Sequence, residues 1–373
     1  MCAIEVTDDY KFLDAMKTHI INRLFHIAVV ISLTQAVTVH ANDTLTVGDL
    51  VVTRNSAVAG NIDIPDARDG VSTSIPVTVF NGANDGPVLT LIAGIHGAEY
   101  SPILAMQQVA AKLDPATMSG AVIVIHNANL PAFQGRTIYF GPNDLKNLNR
   151  SFPGEAEGSV TERIAHVLTE QVIKQSDYLI DIHSGDANER LGPSYTAYYA
   201  EAGSAELRER SRRMTVAFGL DTIVLFGGDL SSPESQIYTS AQAIALGIPA
   251  MDVESGELGI VSAEYIDPIT NGVISVMRDL DMVPGDATPT DSPVFIVERS
   301  RVYSDYDGVW HLAPRIEAGQ YVHEGTVLGS ITDYHGKQLA TVTAPASGIL
   351  LIVFGTPPVN QGDNIAVIGL VTP

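Results

Sequence analysis

The chain has 373 residues, a formal net charge of −22, 45% hydrophobic residues and 17% charged residues. This length allows one large domain plus a smaller one, and the composition is that of a globular protein rather than a disordered one. Nucleic acids and anionic membrane surfaces are bound through basic patches, so the acidic balance argues against both as partners.

The N-terminal segment has the anatomy of a secretory signal peptide. A basic start after Met16 leads into the apolar run 24–33, and small residues precede a cleavage point after Ala41. The run is short for a membrane span of about 20 residues, which favours cleavage over an anchor. We therefore predict that 1–41 is an extension plus signal peptide, and that the protein is secreted or periplasmic without stable membrane insertion. Cys2, the single cysteine, lies in this segment, so no disulfide is expected.

Between 42 and 283, segments typical of buried strands alternate with segments typical of helices. The strand-like segments are nearly continuous in apolar residues: 88–93, 121–126, 178–183, 222–226 and 248–254. The helix-like segments are 101–113, 159–175, 204–218, 235–246 and 263–281. This alternation predicts an α/β domain whose central sheet is mixed and mostly parallel, with helices on both faces.

A second domain is predicted after a Pro- and Gly-containing linker at 284–293. In 294–373 short β-like segments alternate with Gly turns, which is typical of a small all-β domain. Its segments 322–329 and 344–350 resemble those of biotinyl/lipoyl β-sandwich modules. Lys337 lacks the methionines that usually flank a carrier lysine, so we interpret this domain as a wall or lid over a cleft.

Polar residues follow three of the predicted strands. His96 and Glu99 lie in the turn after 88–93, His183 ends the strand at 178–183, and Glu254 ends the one at 248–254. Open α/β sheets bind ligands at the carboxyl ends of their strands. Two histidines and one carboxylate with a free fourth position form a catalytic zinc site, and a further acid can act as general base. The sequence therefore predicts one Zn²⁺ per chain, held by His96, Glu99 and His183, with Glu254 as the base.

Three motifs in this order carry a family resemblance: Gly94-Ile95-His96-Gly97-Ala98-Glu99, the segment 147–154 with Asn149-Arg150, and Asp181-Ile182-His183-Ser184-Gly185. Together with Glu254 they resemble the aspartoacylase/succinylglutamate desuccinylase branch of the zinc carboxypeptidase superfamily, over about residues 70–283. The resemblance implies a zinc-dependent hydrolase that cleaves the amide bond of a small, carboxylate-bearing N-acyl amino acid through a metal-activated water. It implies the same three metal ligands and the same base.

The resemblance also implies that Asn149 and Arg150 receive the substrate carboxylate, for which a guanidinium is well suited. It places Arg136 as the group that polarises the scissile carbonyl and stabilises its oxyanion, although the spacing to Arg150 is longer than in relatives. Some relatives carry an aspartate that orients the first histidine where this chain has Asn147. An amide oxygen or a backbone carbonyl is expected to take that role.

Other polar residues keep two interpretations. Arg190 is either a binding residue for a second carboxylate or acyl group, or a solvated loop arginine. Asp181 shares a strand face with His183 and either orients it or is a satisfied buried acid. Glu257 is the rival candidate for the base.

His126 is interpreted as a core histidine or one that supports a ligand, and Tyr303 and Tyr306 as candidates for a substrate-contacting tyrosine. Two alternative functions stay open, namely a secreted metallocarboxypeptidase acting on peptides or cell-wall peptides, and a non-catalytic zinc- or ligand-binding protein. The sequence assigns neither the acyl group nor the oligomeric state.

Overall fold

Within the described residues, strands alternate with helices between residues 84 and 279, and only strands follow. The computed structural model describes residues 43–67 and 69–371, so the predicted extension and signal peptide lie outside the described residues. The strands are β1 Thr44–Val47, β2 Leu50–Thr53, β3 Ser56–Ile64, β4 Thr73–Asn81, β5 Asn84–Ala93, β6 Ser119–Ile125, β7 Tyr178–His183, β8 Glu189–Leu191, β9 Tyr195–Tyr199, β10 Thr222–Phe226, β11 Ala250–Glu254, β12 Val294–Tyr303, β13 Gly308–Leu312, β14 Tyr321–Val322, β15 Val327–Thr332, β16 Gln338–Thr343, β17 Gly348–Phe354, β18 Pro358–Val359 and β19 Asn364–Val371. The α-helices are α1 Tyr100–Lys112, α2 Leu130–Gly135, α3 Val160–Gln171, α4 Ala205–Phe218, α5 Thr239–Ala245 and α6 Ala263–Asp279. In this part of the chain, every helix is too short or too polar to cross a membrane.

One large mixed sheet organises these elements, in the order β14-β17-β19-β12-β10-β9-β11-β7-β5-β6-β4-β3. Strands β6, β5, β7 and β11 are mutually parallel, and β9, β10 and β12 form a second parallel group. This confirms the predicted α/β fold with a mixed, largely parallel sheet. The carboxyl ends of β5, β7 and β11 meet at one edge of the sheet, where the predicted site residues lie.

Helices cover both faces of the sheet, because successive residues of its central strands point to opposite sides. Leu91 and Val124 pack in one apolar cluster with α1, α4 and α6. Their neighbours Ile92 and Ile125 pack in the other cluster with α3 and α5. All four side chains are fully buried. A strand buried on both faces needs apolar residues at every position, which explains the continuous apolar runs in the sequence.

The strand β9 was not predicted. It is inserted between β11 and β10, antiparallel to β11 and parallel to β10. All five of its residues are buried, but the segment Tyr195–Tyr199 contains three tyrosines and a threonine and so lacks the aliphatic run that marks the other central strands. Its effect is to separate the two parallel groups of the sheet.

The region after residue 279 contains no helix or strand until β12. From there β12 pairs with β10 in parallel and with β19 in antiparallel fashion, so the C-terminal strands extend the large sheet. A separate four-stranded sheet of β16, β15, β13 and β18 packs beside them. The segment 284–293 connects parts of one sheet, because β10 before it pairs with β12 after it. Its role as a domain boundary stays a prediction.

Candidate active site

The turn that carries His96 and Glu99 is built on two glycines. Gly94 directly follows β5 and has a φ of +72°, a conformation that favours glycine. A Cβ on Gly97 would lie 2.5 Å from the backbone carbonyl of Ala132, so the turn can pack against α2 only without a side chain there. The close fit fixes the two functional side chains at the carboxyl end of β5.

The two histidines converge on Glu99 through the same ring atom. The Nδ1 atom of His96 lies 2.8 Å from Glu99 Oε1, and the Nδ1 atom of His183 lies 3.0 Å from Glu99 Oε2. All three side chains are buried. Burial lowers the pKa of His96, but Asp186 and Glu99 outweigh it and raise that pKa to about 10. The three residues therefore form a compact, electrostatically coupled cluster.

The outer nitrogens of both imidazoles face oxygen atoms. The Nε2 of His96 lies 3.2 Å from the amide oxygen of Asn147, and the Nε2 of His183 lies 3.1 Å from a carboxylate oxygen of Asp181. Of the two expectations for position 147, the structure shows the amide oxygen. It also places Asp181 where it can orient His183. The amide oxygen of Asn147 keeps the proton on the Nε2 of His96 and leaves its Nδ1 lone pair free for a metal. The Asp181 carboxylate lies at ion-pair distance from His183 Nε2, without hydrogen-bond geometry.

This donor set fits a divalent metal. The ligand atoms of His96, Glu99 and His183 all lie within 4.8 Å of one another. Two imidazole nitrogens and a carboxylate are the ligands of catalytic zinc sites, and their fixed Nε2 partners match the support that such ligands receive in known sites.

Glu254 stands on the neighbouring strand, with its Cα paired to that of His183 in the β7–β11 register. Burial raises the pKa of Glu254 well above its ordinary value, and Glu99 and Glu189 add to this rise, while His183 opposes it. A carboxyl group with a raised pKa next to the three-residue cluster is suited to accept and return a proton.

The predicted metal, base and carboxylate-binding residues line one cavity of about 450 Å³, termed the cleft below: His96, Glu99, His183, Glu254, Asn149 and Arg150. Arg150 follows Asn149 in a short 3₁₀ turn, and its guanidinium stacks 4.5 Å from the ring centroid of Tyr238. The amide oxygen of Asn149 accepts a hydrogen bond from the backbone N–H of Thr239 at 3.1 Å. This fixes the Asn149 side chain at the start of α5.

An acidic wall that the sequence reasoning missed flanks His96. Asp186 Oδ2 lies 3.2 Å from His96 Nδ1, and Glu189 accepts a hydrogen bond from the Tyr139 hydroxyl at 3.3 Å. Burial, opposed by His96, raises the pKa of Asp186 to about 6. Burial and Asp186 raise the pKa of Glu189 to about 8. In the sequence, the only indication that Asp186 lies near the site was its position three residues after the predicted ligand His183.

A second missed group lies along the sheet from Glu254. Asp252 precedes Glu254 by two residues on β11 and also lines the cleft, as the alternation of a strand predicts. Arg299 and Arg301, both on β12, line the cleft from the C-terminal region. The Arg299 guanidinium lies 4.3 Å from the ring centroid of Phe226. The C-terminal strands thus contribute side chains to the site.

The structure does not bring Arg136 to the cleft, which corrects its expected position. Arg136 ends helix α2 with a φ of +55° and is exposed. It lines a different cavity together with Phe133 and Val261. The chain returns to the cluster three residues later, where the Tyr139 ring lies 5.9 Å from that of His96, but Arg136 itself faces the other cavity. Among the described residues, no contact supports the oxyanion role for Arg136.

Arg190 is likewise not among the residues that line the cleft. Its guanidinium lies 3.7 Å from Glu257, and its Cα pairs with that of Val353 on β17. Glu257 also accepts a hydrogen bond from the backbone N–H of Leu191 at 3.1 Å. These contacts give both residues a role in joining β8 to its surroundings, and they place Glu254 rather than Glu257 at the cluster.

The remaining candidates lie elsewhere. The Nε2 atom of His126 lies 2.8 Å from the Thr78 hydroxyl, away from the cleft. Tyr303 and Tyr306 are 57% and 42% exposed and do not line the cleft, whereas Tyr139 does.

Comparison with known proteins agrees with this geometry. Residues 85–280 match the family model described as the succinylglutamate desuccinylase/aspartoacylase catalytic domain. The chain is 30% identical over 302 residues to the N-alpha-acetyl-L-2,4-diaminobutyric acid deacetylase of Halomonas elongata, covering 79% of this chain and 85% of that protein.

Solved structures show the same fold. A succinylglutamate desuccinylase/aspartoacylase from Rhodobacter sphaeroides is 25% identical with a TM-score of 0.74, covering 86% of this chain and 97% of that one. The product-bound ectoine utilization protein of Ruegeria pomeroyi is 24% identical with a TM-score of 0.76, at the same coverage of both chains. These matches confirm the resemblance carried by the sequence motifs. The chain belongs to the succinylglutamate desuccinylase/aspartoacylase family and is a hydrolase that cleaves the amide bond of N-acyl amino acids.

Proposed function

We propose that this chain is a zinc-dependent deacetylase of N-acetyl amino acids, with N-α-acetyl-2,4-diaminobutyrate as the first substrate to test. The convergence of His96 Nδ1, His183 Nδ1 and Glu99, with Glu254 on the adjacent strand, carries this proposal. The similarity to the diaminobutyric acid deacetylase of Halomonas elongata supports the choice of substrate.

His96, Glu99 and His183 would hold the zinc ion, and Asn147 and Asp181 would keep both imidazoles in the tautomer that presents Nδ1. When bound, Zn²⁺ supplies a Lewis acid that polarises the scissile carbonyl and makes a water molecule more acidic.

The protein's own groups then move protons and hold the substrate. Glu254 takes a proton from the attacking water and passes it to the leaving nitrogen, a task suited to a carboxyl group whose pKa is raised by burial. The Asn149 amide and the Arg150 guanidinium bind the substrate carboxylate beside the amide that is cleaved. Stacking on Tyr238 holds the Arg150 guanidinium in place.

The test compares the wild-type protein with Glu254→Gln. Both are expected to bind one zinc ion per chain by elemental analysis, while the variant loses hydrolysis of N-acetyl amino acids by at least about 1000-fold. The matched variant Glu257→Gln, which changes an acid in the loop three residues later and outside the cleft, is expected to keep its activity. Failure of the wild type to release acetate from any substrate in the panel would contradict the proposal.

The carboxypeptidase alternative uses the same residues on a larger substrate. The size of the cleft, about 450 Å³, with Arg299 and Arg301 on one wall, favours small molecules. A panel that pairs N-acetyl amino acids with C-terminal dipeptides separates the two functions. A non-catalytic zinc-binding protein would bind the ion and hydrolyse neither class.

The cellular location is proposed from the sequence of 1–41 alone. N-terminal sequencing of protein recovered outside the cytoplasm is expected to begin at Asn42. Recovery of a cytoplasmic protein that retains the segment 24–33 would contradict secretion.

A further inference from the structure

Two arginines in the wall of the cleft form no ion pair. Arg299 and Arg301 lie two positions apart on β12, in a stretch that pairs regularly with β19, so their side chains leave the strand on the same face. Among the described residues, neither guanidinium has a carboxylate within 4.0 Å or an acceptor for a hydrogen bond. Two neighbouring positive charges in this cavity therefore lack a direct counter-charge.

Other arginines of this acidic chain are paired. The sequence has 43 acidic and 21 basic residues, and several arginines outside the cleft lie against acids, such as Arg163 at 3.0 Å from Asp69 and Arg213 at 2.8 Å from Asp279. Removing a guanidinium from water without an opposite charge is unfavourable. The two cleft arginines thus point to an anion that binds beside them from solution.

The orientation of Arg299 suits such an anion. Its guanidinium lies 4.3 Å from the ring centroid of Phe226, and the Phe226 ring packs edge-on against Tyr199. Stacking uses the flat face of the guanidinium, while its N–H donors point outward in the plane of the group. Burial lowers the pKa of Arg299, and the charge of Arg301 contributes in the same direction. A bound anion offsets both effects.

Asp252 attracts Arg299 but does not neutralise the pair of arginines. It lines the same cleft and lies beyond ion-pair distance of both guanidinium groups. Its Oδ1 atom accepts a hydrogen bond of 2.8 Å from the Ser240 hydroxyl, which holds the carboxylate in place on β11. One carboxylate faces two guanidinium groups, so a net positive charge remains at this end of the cleft.

The two arginines lie away from the amide that is cleaved. In the sheet order β11-β9-β10-β12, β12 is the third strand from the one that carries Glu254. Neighbouring strands are about 4.8 Å apart, so the backbones of β11 and β12 are separated by about 14 Å. In the proposed function Asn149 and Arg150 receive one carboxylate. Arg299 and Arg301 are therefore available to a second anionic group.

We propose that Arg299 and Arg301 form an anion-binding site in the cleft, for a carboxylate or an oxyanion of similar size. Such an anion has two sources, namely a second carboxylate on the substrate or a free oxyanion from solution. The first source rests on the proposed deacetylase function and narrows it to N-acyl amino acids with an acidic group, whereas the second needs no catalysis. Guanidinium groups bind carboxylates and oxyanions through paired N–H donors.

The first arm of the test compares N-acetyl-L-glutamate with N-acetyl-L-glutamine, which has nearly the same shape but no second charge. If the substrate supplies the anion, the wild type has the higher kcat/KM for N-acetyl-L-glutamate. Arg299→Gln is expected to lower this value by roughly 10- to 100-fold, the range for hydrogen bonds to charged groups, and that for N-acetyl-L-glutamine by less than about threefold. Arg299→Lys, which keeps the charge without the planar fork, is expected to fall between wild type and Arg299→Gln.

The second arm uses sulfate as the probe for a free oxyanion, at constant ionic strength. If the anion comes from solution, the wild type hydrolyses both substrates with similar kcat/KM, and sulfate changes the rate of both. Arg299→Gln is expected to raise the sulfate concentration needed for this effect by roughly 10-fold or more. The proposal is overturned if neither a preference for N-acetyl-L-glutamate nor an effect of sulfate depends on the two arginines.

Two further variants separate this site from structural damage and from net charge. Arg301→Gln changes the exposed member of the pair, leaves the Phe226 stack in place, and is expected to act in the same direction as Arg299→Gln by a smaller factor. Arg315→Gln removes the same charge from an exposed position outside the cleft and is expected to change neither substrate. Equal losses in Arg315→Gln and Arg299→Gln would refute the proposal.

A binding measurement keeps this inference distinct from the proposed function. Calorimetric titration with N-acetyl-L-glutamate, N-acetyl-L-glutamine and sulfate is made on Glu254→Gln protein, in which no turnover is expected. Tighter binding of N-acetyl-L-glutamate than of N-acetyl-L-glutamine, or binding of sulfate, that Arg299→Gln abolishes would support the site even if the wild type hydrolyses no substrate. Binding that both arginine variants leave unchanged would overturn the site even if the deacetylase activity is found.

Discussion

The metal-ligand cluster has a sheet side and a loop side. Each side supports the imidazole of its own histidine, and the two do so by different means. On the sheet side, His183 faces Asp181, its neighbour two positions back on β7. On the loop side, His96 faces Asn147, which lies 51 residues further along the chain. One support is anionic and set by strand alternation, while the other is neutral and set by a long-range contact. Because only the sheet-side support carries a charge, we expect zinc binding to depend more on that side.

Removing the sheet-side ligand is expected to have the largest effect. His183→Ala deletes one of three ligands and should abolish stoichiometric zinc binding together with hydrolysis. Elemental analysis after gel filtration measures the metal content, and circular dichroism checks that the fold is kept. Full zinc occupancy in this variant would contradict the ligand assignment.

Neutralising the support on the sheet side is expected to have the next largest effect. Asp181→Asn keeps an oxygen near His183 Nε2 but removes its charge, and should weaken zinc binding by roughly 10- to 100-fold. Competition with a chelator of known affinity gives the constant. An unchanged affinity would mean that the charge of Asp181 is not what supports His183.

The pH dependence tests how strongly the acids couple to the histidines of both sides. The pKa of Asp186 is raised to about 6, that of Glu189 to about 8 and that of His96 to about 10. The folded, metal-free protein therefore holds more protons than the unfolded chain between about pH 4 and pH 10, so its free energy of unfolding should fall as the pH rises. Glu99, whose pKa is lowered to about 2, acts in the opposite sense only below about pH 4.

The midpoint of thermal unfolding of the metal-free protein should thus drop by several degrees between pH 5 and pH 9. Bound zinc should reverse this pH dependence of the unfolding midpoint, because the positive charge of the ion replaces that of the bound protons. A midpoint that stays constant or rises without metal would contradict the coupling.

Giving the loop side a charge is expected to have the smallest effect. Asn147→Asp keeps the oxygen that faces His96 Nε2, and the same oxygen accepts a hydrogen bond from the backbone N–H of Asn149. The charge-assisted hydrogen bond should tighten zinc binding by about threefold, making the two sides alike. Weaker binding would show that the neutral amide is needed in this acidic site.

The same contrast explains what could be predicted from the sequence. His183 and Glu254 each end an apolar strand, so the sequence pattern was enough to predict that they meet at one edge of the sheet. The same apolar segments predicted the parallel sheet. Asp252 was within reach of that reasoning, since it shares a strand face with Glu254. Asp186 and Tyr139 lie on loops, where no periodicity predicts which residues meet. The predicted position of Arg136 was wrong for the same reason, because the direction of its side chain depends on how α2 ends.

The pairing of β12 with β10 limits how this enzyme can be divided. A fragment that stops at residue 283 would expose the edge of β10 and would lose Arg299 and Arg301 from the wall of the cleft. The C-terminal strands are thus not an accessory that engineering can exchange as a block. Changes to substrate range would have to be made residue by residue along β12, with its hydrogen bonds to the sheet left intact.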